Sequence, residues 1–251
     1  MSDGPHSHSR HGHVHDHDHD HKHQEEHDFA AANAKYFDEN VHKFEQHPFA
    51  KELASRQLTA YLGAYPFDEE KTVMMDFACG IGMVSRELAP YTKQIVGIDI
   101  SQGLVDEFNL RVNNQGLTPD EMKAVCVHLK GVEGELDNLK FDVIICGMAY
   151  HHIQDIAGTT QTLAFFLKPG GVLLVNDMLD VDDITDNFKD LKKQADFEHV
   201  VAHKHGFDEP TIRKVFEDAG LVKFELNIIA KAKYHKFPTK IFIAKGTKPE
   251  A

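Results

Sequence analysis

Apolar positions change rhythm at residue 72. Across residues 29–71, in FAAANAKYFDENVHKFEQHPFAKELASRQLTAYLGAY and the link after it, they recur at helical intervals, and Pro48 divides the stretch into two helices. From Thr72 short continuous apolar runs alternate with helix-period segments. The runs 72–77, 94–99, 123–128, 142–147 and 171–176 read as strands, and 82–90, 101–115 and 157–167 as the helices between them. Strands in strict alternation with helices predict an α/β fold: a mostly parallel sheet with helices on both faces. Residues 179–220 read as mainly helical. Asp208 and Glu209 precede a helix that Pro210 starts and Gly220 closes. The runs 222–229 and 240–245 read as a final antiparallel pair.

Composition adds a tail to this single domain. Residues 1–28 hold ten histidines and seven acids against Arg10 and Lys22, with His13 to His23 alternating with Val, Asp or Lys. Such a segment has little to bury and predicts a disordered tail with loose metal affinity, ahead of a domain spanning 29–251. The formal charge of −13 leaves an acidic body, which argues against a nucleic-acid partner. Cys79, Cys126 and Cys146 lack metal-ligand spacing and read as reduced thiols beside strands. No apolar run is long enough for a membrane span, and the polar N-terminus lacks the form of a secretory signal; both point to the cytoplasm or the nucleus.

The candidate chemistry lies in VMMDFACGIGMVSREL, residues 73–88: a strand ending near Asp76, a turn carrying Gly80 and Gly82, then a helix. Glycines there let a ligand lie against the backbone at a helix N-terminus. The next strand, QIVGIDI, carries Asp99 at its tip, where a carboxylate can accept from ribose hydroxyls. A dinucleotide site and a tight turn with no ligand are the alternatives, the first weakened by Ser85, where the third glycine belongs. Asp76 would also repel a pyrophosphate, whereas it suits a cationic amino-acid ligand.

These residues resemble the class I S-adenosylmethionine (SAM) dependent methyltransferases, whose first motif is an acid followed by a glycine-rich loop. FDVIICGMAYHHI (141–153) resembles the family's fourth-strand motif, LKPGGVLLVNDM (167–178) its turn into the fifth strand, and KIFIAKG (240–246) its last strand. The resemblance is to the small-molecule type, the ubiquinone/menaquinone-biosynthesis and methyltransferase-11/12-like group. It implies a Rossmann-like seven-stranded sheet with the last strand antiparallel, a helical lid at 29–71 and a helical cap at 179–220. It further implies that Asp76, Ala78, Gly80 and Gly82 bracket the amino-acid end and ribose of SAM, that Asp99 takes the ribose hydroxyls, and that Ile100 lies on the adenine. Gly147 and Met148 would pass the methionine portion, and Tyr36 would reach its carboxylate from the lid. Ala78 replaces the commonest first glycine, which is tolerable if that position avoids positive φ. The third strand lacks the usual aspartate, so His128 or Leu129 must serve the adenine edge.

A small or medium-sized acceptor would approach just after the fourth strand. His151 and His152 are candidate proton acceptors there, and Tyr150 a candidate substrate wall. His203 and His205 are candidate substrate residues from the cap and, with His151 or His152, the place where the ordered domain would hold a metal. No residue is assigned as a metal ligand. Two rival functions remain open: a methyltransferase-like scaffold working through a partner protein, and a metal-handling protein acting through the tail.

Overall fold

A computed structural model describes residue 1 and residues 27–46, 50–180, 199–234 and 237–250. The tail segment 2–26 and the cap segment 181–198 lie outside the described residues, as do the expectations placed on them.

Helices α1 (Phe29–Asn40) and α2 (Ala50–Ala64) precede a unit in which β1 (Val73–Phe77), β2 (Gln94–Asp99), β3 (Met122–Cys126), β4 (Phe141–Gly147) and β5 (Leu167–Leu179) are interleaved with α3 (Met83–Leu88), α4 (Gln102–Gln115) and α5 (Ile156–Phe166). Helix α6 (Glu209–Asp218) and the strands β6 (Val222–Tyr234) and β7 (Phe237–Thr247) follow. The seven strands lie in the order β3-β2-β1-β4-β5-β7-β6. The pairings among β1 to β5 are parallel, and β7 runs antiparallel between β5 and β6. Winding reverses between β1 and β4, so a crevice opens at the C-terminal tips of those strands.

The continuous apolar runs reflect burial on both faces. Met74, Ile95, Val143 and Leu174 pack with Tyr61, Leu88 and Phe108 of α2, α3 and α4. On the opposite face Met75, Val96, Ile144 and Leu173 pack with Leu163 and Phe166 of α5 and Ile212 and Phe216 of α6. Each fully buried side chain of this size contributes roughly 1.5–3 kcal/mol.

Two expectations need correction. The final pair is longer than its apolar runs, because backbone pairing continues from Val222↔Thr247 to Tyr234↔Phe237. Residues 199–208, expected to be largely helical, form a turn that crosses the sheet end, with a bridge between Leu179 and Phe207. Gly206 permits that crossing: it has φ +77, and a Cβ there would come within 2.4 Å of the Met178 carbonyl oxygen. Helix α6 starts as expected, with Asp208 accepting from the Thr211 amide at 2.8 Å.

Candidate active site

The turn after β1 takes its shape from left-handed backbone at Ala78 (φ +56), Gly80 (φ +54) and Gly82 (φ +72). Ala78 therefore occupies the conformation that the sequence reading required it to avoid, a strain of about 1–2 kcal/mol. At Gly82 a Cβ would lie 2.7 Å from the Phe108 ring, so the turn is also pressed onto α4. Asp76, buried near the end of β1, accepts from the Ser85 hydroxyl at 2.5 Å. Asp99, at the tip of β2, accepts from the amides of Gly80 (2.9 Å) and Ser101 (3.0 Å). One carboxylate is thus set by α3 and the other by the turn itself.

Burial dominates both acids. It pushes Asp76 up to about 7, with the Ser85 hydrogen bond pulling the other way and Asp99 adding to the rise. It also raises Asp99 from its ordinary value, against the pull of the Ser101 and Gly80 amides.

Both acids line one cavity of about 560 Å³, with Ala78, Gly80, Ile100, Gly147 and Met148. Gly82 is not in the lining and serves the turn instead. Helices α1 and α2 supply the facing wall through Phe29, Asn33 and Phe37, and through Leu53, Gln57 and Tyr61. Both sets repeat every fourth residue, the spacing of one helix face. The sequence reading missed these six because that spacing equally marks a core-facing helix. Tyr36 does not line the cavity: it stands edge-on to Phe37 and lies 5.8 Å from the ring of His199. One helical step turns Phe37, rather than Tyr36, to the cavity. The next residue, Asp38, accepts from the Ser101 hydroxyl (2.6 Å) and the Gly103 amide (2.9 Å), docking α1 onto α4.

Gly147 lets α2 approach the tip of β4, since a Cβ there would come within 2.8 Å of Gln57 Nε2. Met148 follows with φ +54, its amide donating to the Asn176 carbonyl oxygen at 2.8 Å. The Tyr61 hydroxyl donates to Asn176 Oδ1.

The two candidate proton acceptors separate. His152 lines the cavity and His151 does not. His151 Nδ1 lies 2.9 Å from Asp177 Oδ1, and its amide donates to Asp177 Oδ2 at 3.1 Å. Burial favours the neutral Asp177, but the charge and hydrogen bonds of His151 outweigh it and hold Asp177 below its ordinary value. The two imidazoles lie 4.1 Å apart, centroid to centroid. His152 Nδ1 is 2.7 Å from the carbonyl oxygen of Val200. A carbonyl only accepts, so Nδ1 carries the hydrogen and Nε2 keeps the lone pair. Burial, with His151 adding to it, pushes His152 down to about 4.

Tyr150 is fully buried outside the cavity lining, with its hydroxyl 2.8 Å from Thr160 Oγ1. His203 is also outside the lining; its amide donates to the His151 carbonyl and its Nε2 to the Ile153 carbonyl, both at 2.9 Å. It buttresses the 150–153 turn from behind. His205 is exposed and off the cavity. Among the described residues no three His, Cys, Asp or Glu side chains gather to hold a metal ion, so the histidines of 151–152 and 203–205 do not form the metal site considered for them. Of the two third-strand candidates, His128 lines the cavity, while Leu129 is buried and borders only an adjoining hollow of about 520 Å³.

Residues 45–226 match a methyltransferase-domain family. The chain belongs to that family. The match takes in α2 and the strands β1 to β5, leaving α1 before it. An uncharacterized methyltransferase of Schizosaccharomyces pombe is 37% identical over 162 residues, which is 63% of this chain and 56% of that protein. A ubiquinone biosynthesis O-methyltransferase of Histophilus somni is 32% identical over 104 residues, 41% of this chain and 43% of that protein. The chain thus matches about half the length of these curated relatives. Among solved structures, magnesium protoporphyrin IX methyltransferase from Synechocystis, determined with bound SAH, shares the fold at a TM-score of 0.66 and 18% identity, covering 88% of this chain and 100% of that one. The comparisons give no support to a scaffolding or metal-handling protein. No described helix of this methyltransferase-family chain is long and apolar enough to cross a membrane.

Proposed function

We propose that the chain is a SAM-dependent methyltransferase acting on a small or medium-sized acceptor. The observation that carries this reading is the pair of buried carboxylates, Asp76 and Asp99, lining one cavity at adjacent strand tips across a left-handed glycine turn. The donor set fits the cofactor: Asp76 faces its ammonium, Asp99 its ribose diol, and Ile100 and Val127 give the adenine apolar walls, with His128 at its edge. Gly147 and Met148 pass the methionine portion.

SAM supplies a methyl group already activated on a positively charged sulfur. The chain therefore contributes alignment and exclusion of water, which in well-oriented systems is worth roughly 7–11 kcal/mol. His152 is the acceptor-side residue: Nε2, left with the lone pair by the Nδ1–Val200 contact and kept unprotonated by burial, takes the proton that the acceptor gives up. His151 is a positioning residue; anchored to Asp177, it fixes the turn that presents His152.

Calorimetric titration of the full chain with S-adenosylhomocysteine, with NAD as the comparison ligand, tests the reading. Micromolar binding of the former alone, lost in Asp99→Ala, is the expected result. Tighter binding of NAD, or no binding of either, refutes it.

A further inference from the structure

The cavity is divided by charge. Its described lining contains four carboxylates, Asp28, Asp76, Asp99 and Asp155, and no lysine or arginine. Asp76 and Asp99 belong to the cofactor end in the reading above. The other two are exposed helix caps: Asp28 accepts from the Ala31 amide at 3.0 Å, and Asp155 from the Gly158 amide at 2.8 Å. The wall supplied by α1 and α2 carries no charge. It presents Phe29, Phe37 and Leu53 as apolar surface and Asn33, Gln57 and Tyr61 as neutral polar groups. Two of these polar groups are engaged as donors, while Asn33 Oδ1 stays buried without a partner among the described residues. The Asn33 amide nitrogen donates to the carbonyls of Phe29 (2.7 Å) and Val200 (3.0 Å), and the Tyr61 hydroxyl donates to Asn176.

An anionic acceptor in this chamber would meet carboxylates and, among the described lining residues, no lysine or arginine, with only the cofactor's sulfonium to offset its charge, and burying a poorly paired charge is unfavourable. A cationic acceptor would give up water against the uncharged Phe29–Phe37–Leu53 wall, which is unfavourable with or without the sulfonium that S-adenosylhomocysteine lacks. An uncharged body with one hydrogen-bond donor suits a chamber of apolar walls and few polar groups. The donor has a partner in His152, whose Nδ1 is committed to Val200 and whose Nε2 can only accept while the ring is neutral.

We infer that the acceptor is an uncharged, largely apolar molecule that presents a hydroxyl hydrogen to His152, held against the Phe29–Phe37–Leu53 wall. The inference rests on the methyltransferase reading and names the substrate class of the same cavity.

Three probes with one apolar body and different charge test it: octan-1-ol, octanoate and protonated octylamine, titrated into the full chain with and without S-adenosylhomocysteine. Octan-1-ol is expected to bind the loaded chain at least tenfold more tightly than either ion. Leu53→Lys, which puts a cation into the wall, should move the preference to octanoate while leaving S-adenosylhomocysteine affinity unchanged. Should the lysine variant not fold, Leu53→Phe is expected to weaken octan-1-ol by narrowing the chamber, without favouring octanoate. Binding of either ion as tightly as the alcohol overturns the inference. So does binding of none of the three, or octan-1-ol affinity indifferent to the Leu53 substitutions. Failure of S-adenosylhomocysteine itself to bind refutes the cofactor reading instead, and the ranking of the probes on the unloaded chain still tests the acceptor class.

Discussion

Asp76 gives the sharpest test of the cofactor end. Its ordinary value of 3.8 is raised to about 7 by burial, so the folded protein resists ionising a group that ionises freely in the unfolded chain. A group with a raised folded value contributes stability that is complete below pH 3.8 and is lost as pH rises through about 7. The shift is about three units, or about 4 kcal/mol at 1.36 kcal/mol per unit, of which about 3 kcal/mol falls between pH 5 and pH 8. Asp76→Asn removes the titration while keeping an oxygen for the Ser85 hydroxyl. Relative to the parent chain, the variant should gain about 3 kcal/mol over that interval, roughly 6–12 °C in melting temperature for a chain of this size. Urea unfolding of both proteins without ligand, at pH 5, 6, 7 and 8, measures the difference. A gap between variant and parent that stays flat from pH 5 to pH 8 would refute the reasoning. In the proposed site ligand binding carries the opposite sign: pairing of Asp76 with the cofactor's ammonium would ionise it, so S-adenosylhomocysteine should release close to one proton at pH 6 and little at pH 8. Calorimetry in buffers of different ionisation enthalpy reads that release directly.

Asp99→Ala should cost about 2 kcal/mol of stability in urea unfolding, because it leaves the buried amides of Gly80 and Ser101 without their acceptor; the same variant should bind S-adenosylhomocysteine at least tenfold more weakly. Gly82→Ala combines left-handed strain with a Cβ 2.7 Å from the Phe108 ring, and about 2–4 kcal/mol of destabilisation is expected in the same assay. Ala78→Gly relieves the strain at φ +56 but adds freedom to the unfolded chain. It should leave stability level or raise it by up to about 1 kcal/mol; a loss above that would show that the alanine methyl group is needed there. His152→Phe should leave S-adenosylhomocysteine affinity intact and reduce turnover of any hydroxyl acceptor by about 10²-fold or more, the contribution of a positioned base.

The sheet was legible because burial on both faces writes itself as continuous apolar runs. Asp76 and Asp99 were legible because an acid ending such a run is costly without a purpose. Turn conformation was not: nothing in ACGIG says that Ala78 takes the left-handed form, since neighbouring contacts such as the Gly80–Asp99 hydrogen bond impose it. Both histidines were candidates from position alone, yet adjacent residues on a tight turn face different ways, and Asp177 and Val200, remote in sequence, decide which ring meets the cavity. Tyr36 and Phe37 illustrate the same limit on a helix. Helical period identifies a face, but which aromatic meets the ligand depends on how α1 docks through Asp38 onto α4. Tyr150 looked like a substrate wall by position alone; its partner Thr160, on α5, places it inside the core.

The insertion of β7 between β5 and β6 bears on how the chain is made. During synthesis β5 and β6 leave the ribosome before the strand that must separate them, and each waits with an open pairing edge, Val172–Leu179 on β5 and Val222–Tyr234 on β6. Those two edges would be parallel neighbours if they met, a premature closure that β7 would then have to undo. Lys231 on β6 puts a charge on that edge and makes it a poorer mate in the interval. A stalled or shortened chain ending before Phe237 would keep the whole β1-to-β4 cofactor platform, yet be prone to self-association through the unfilled slot beside β5.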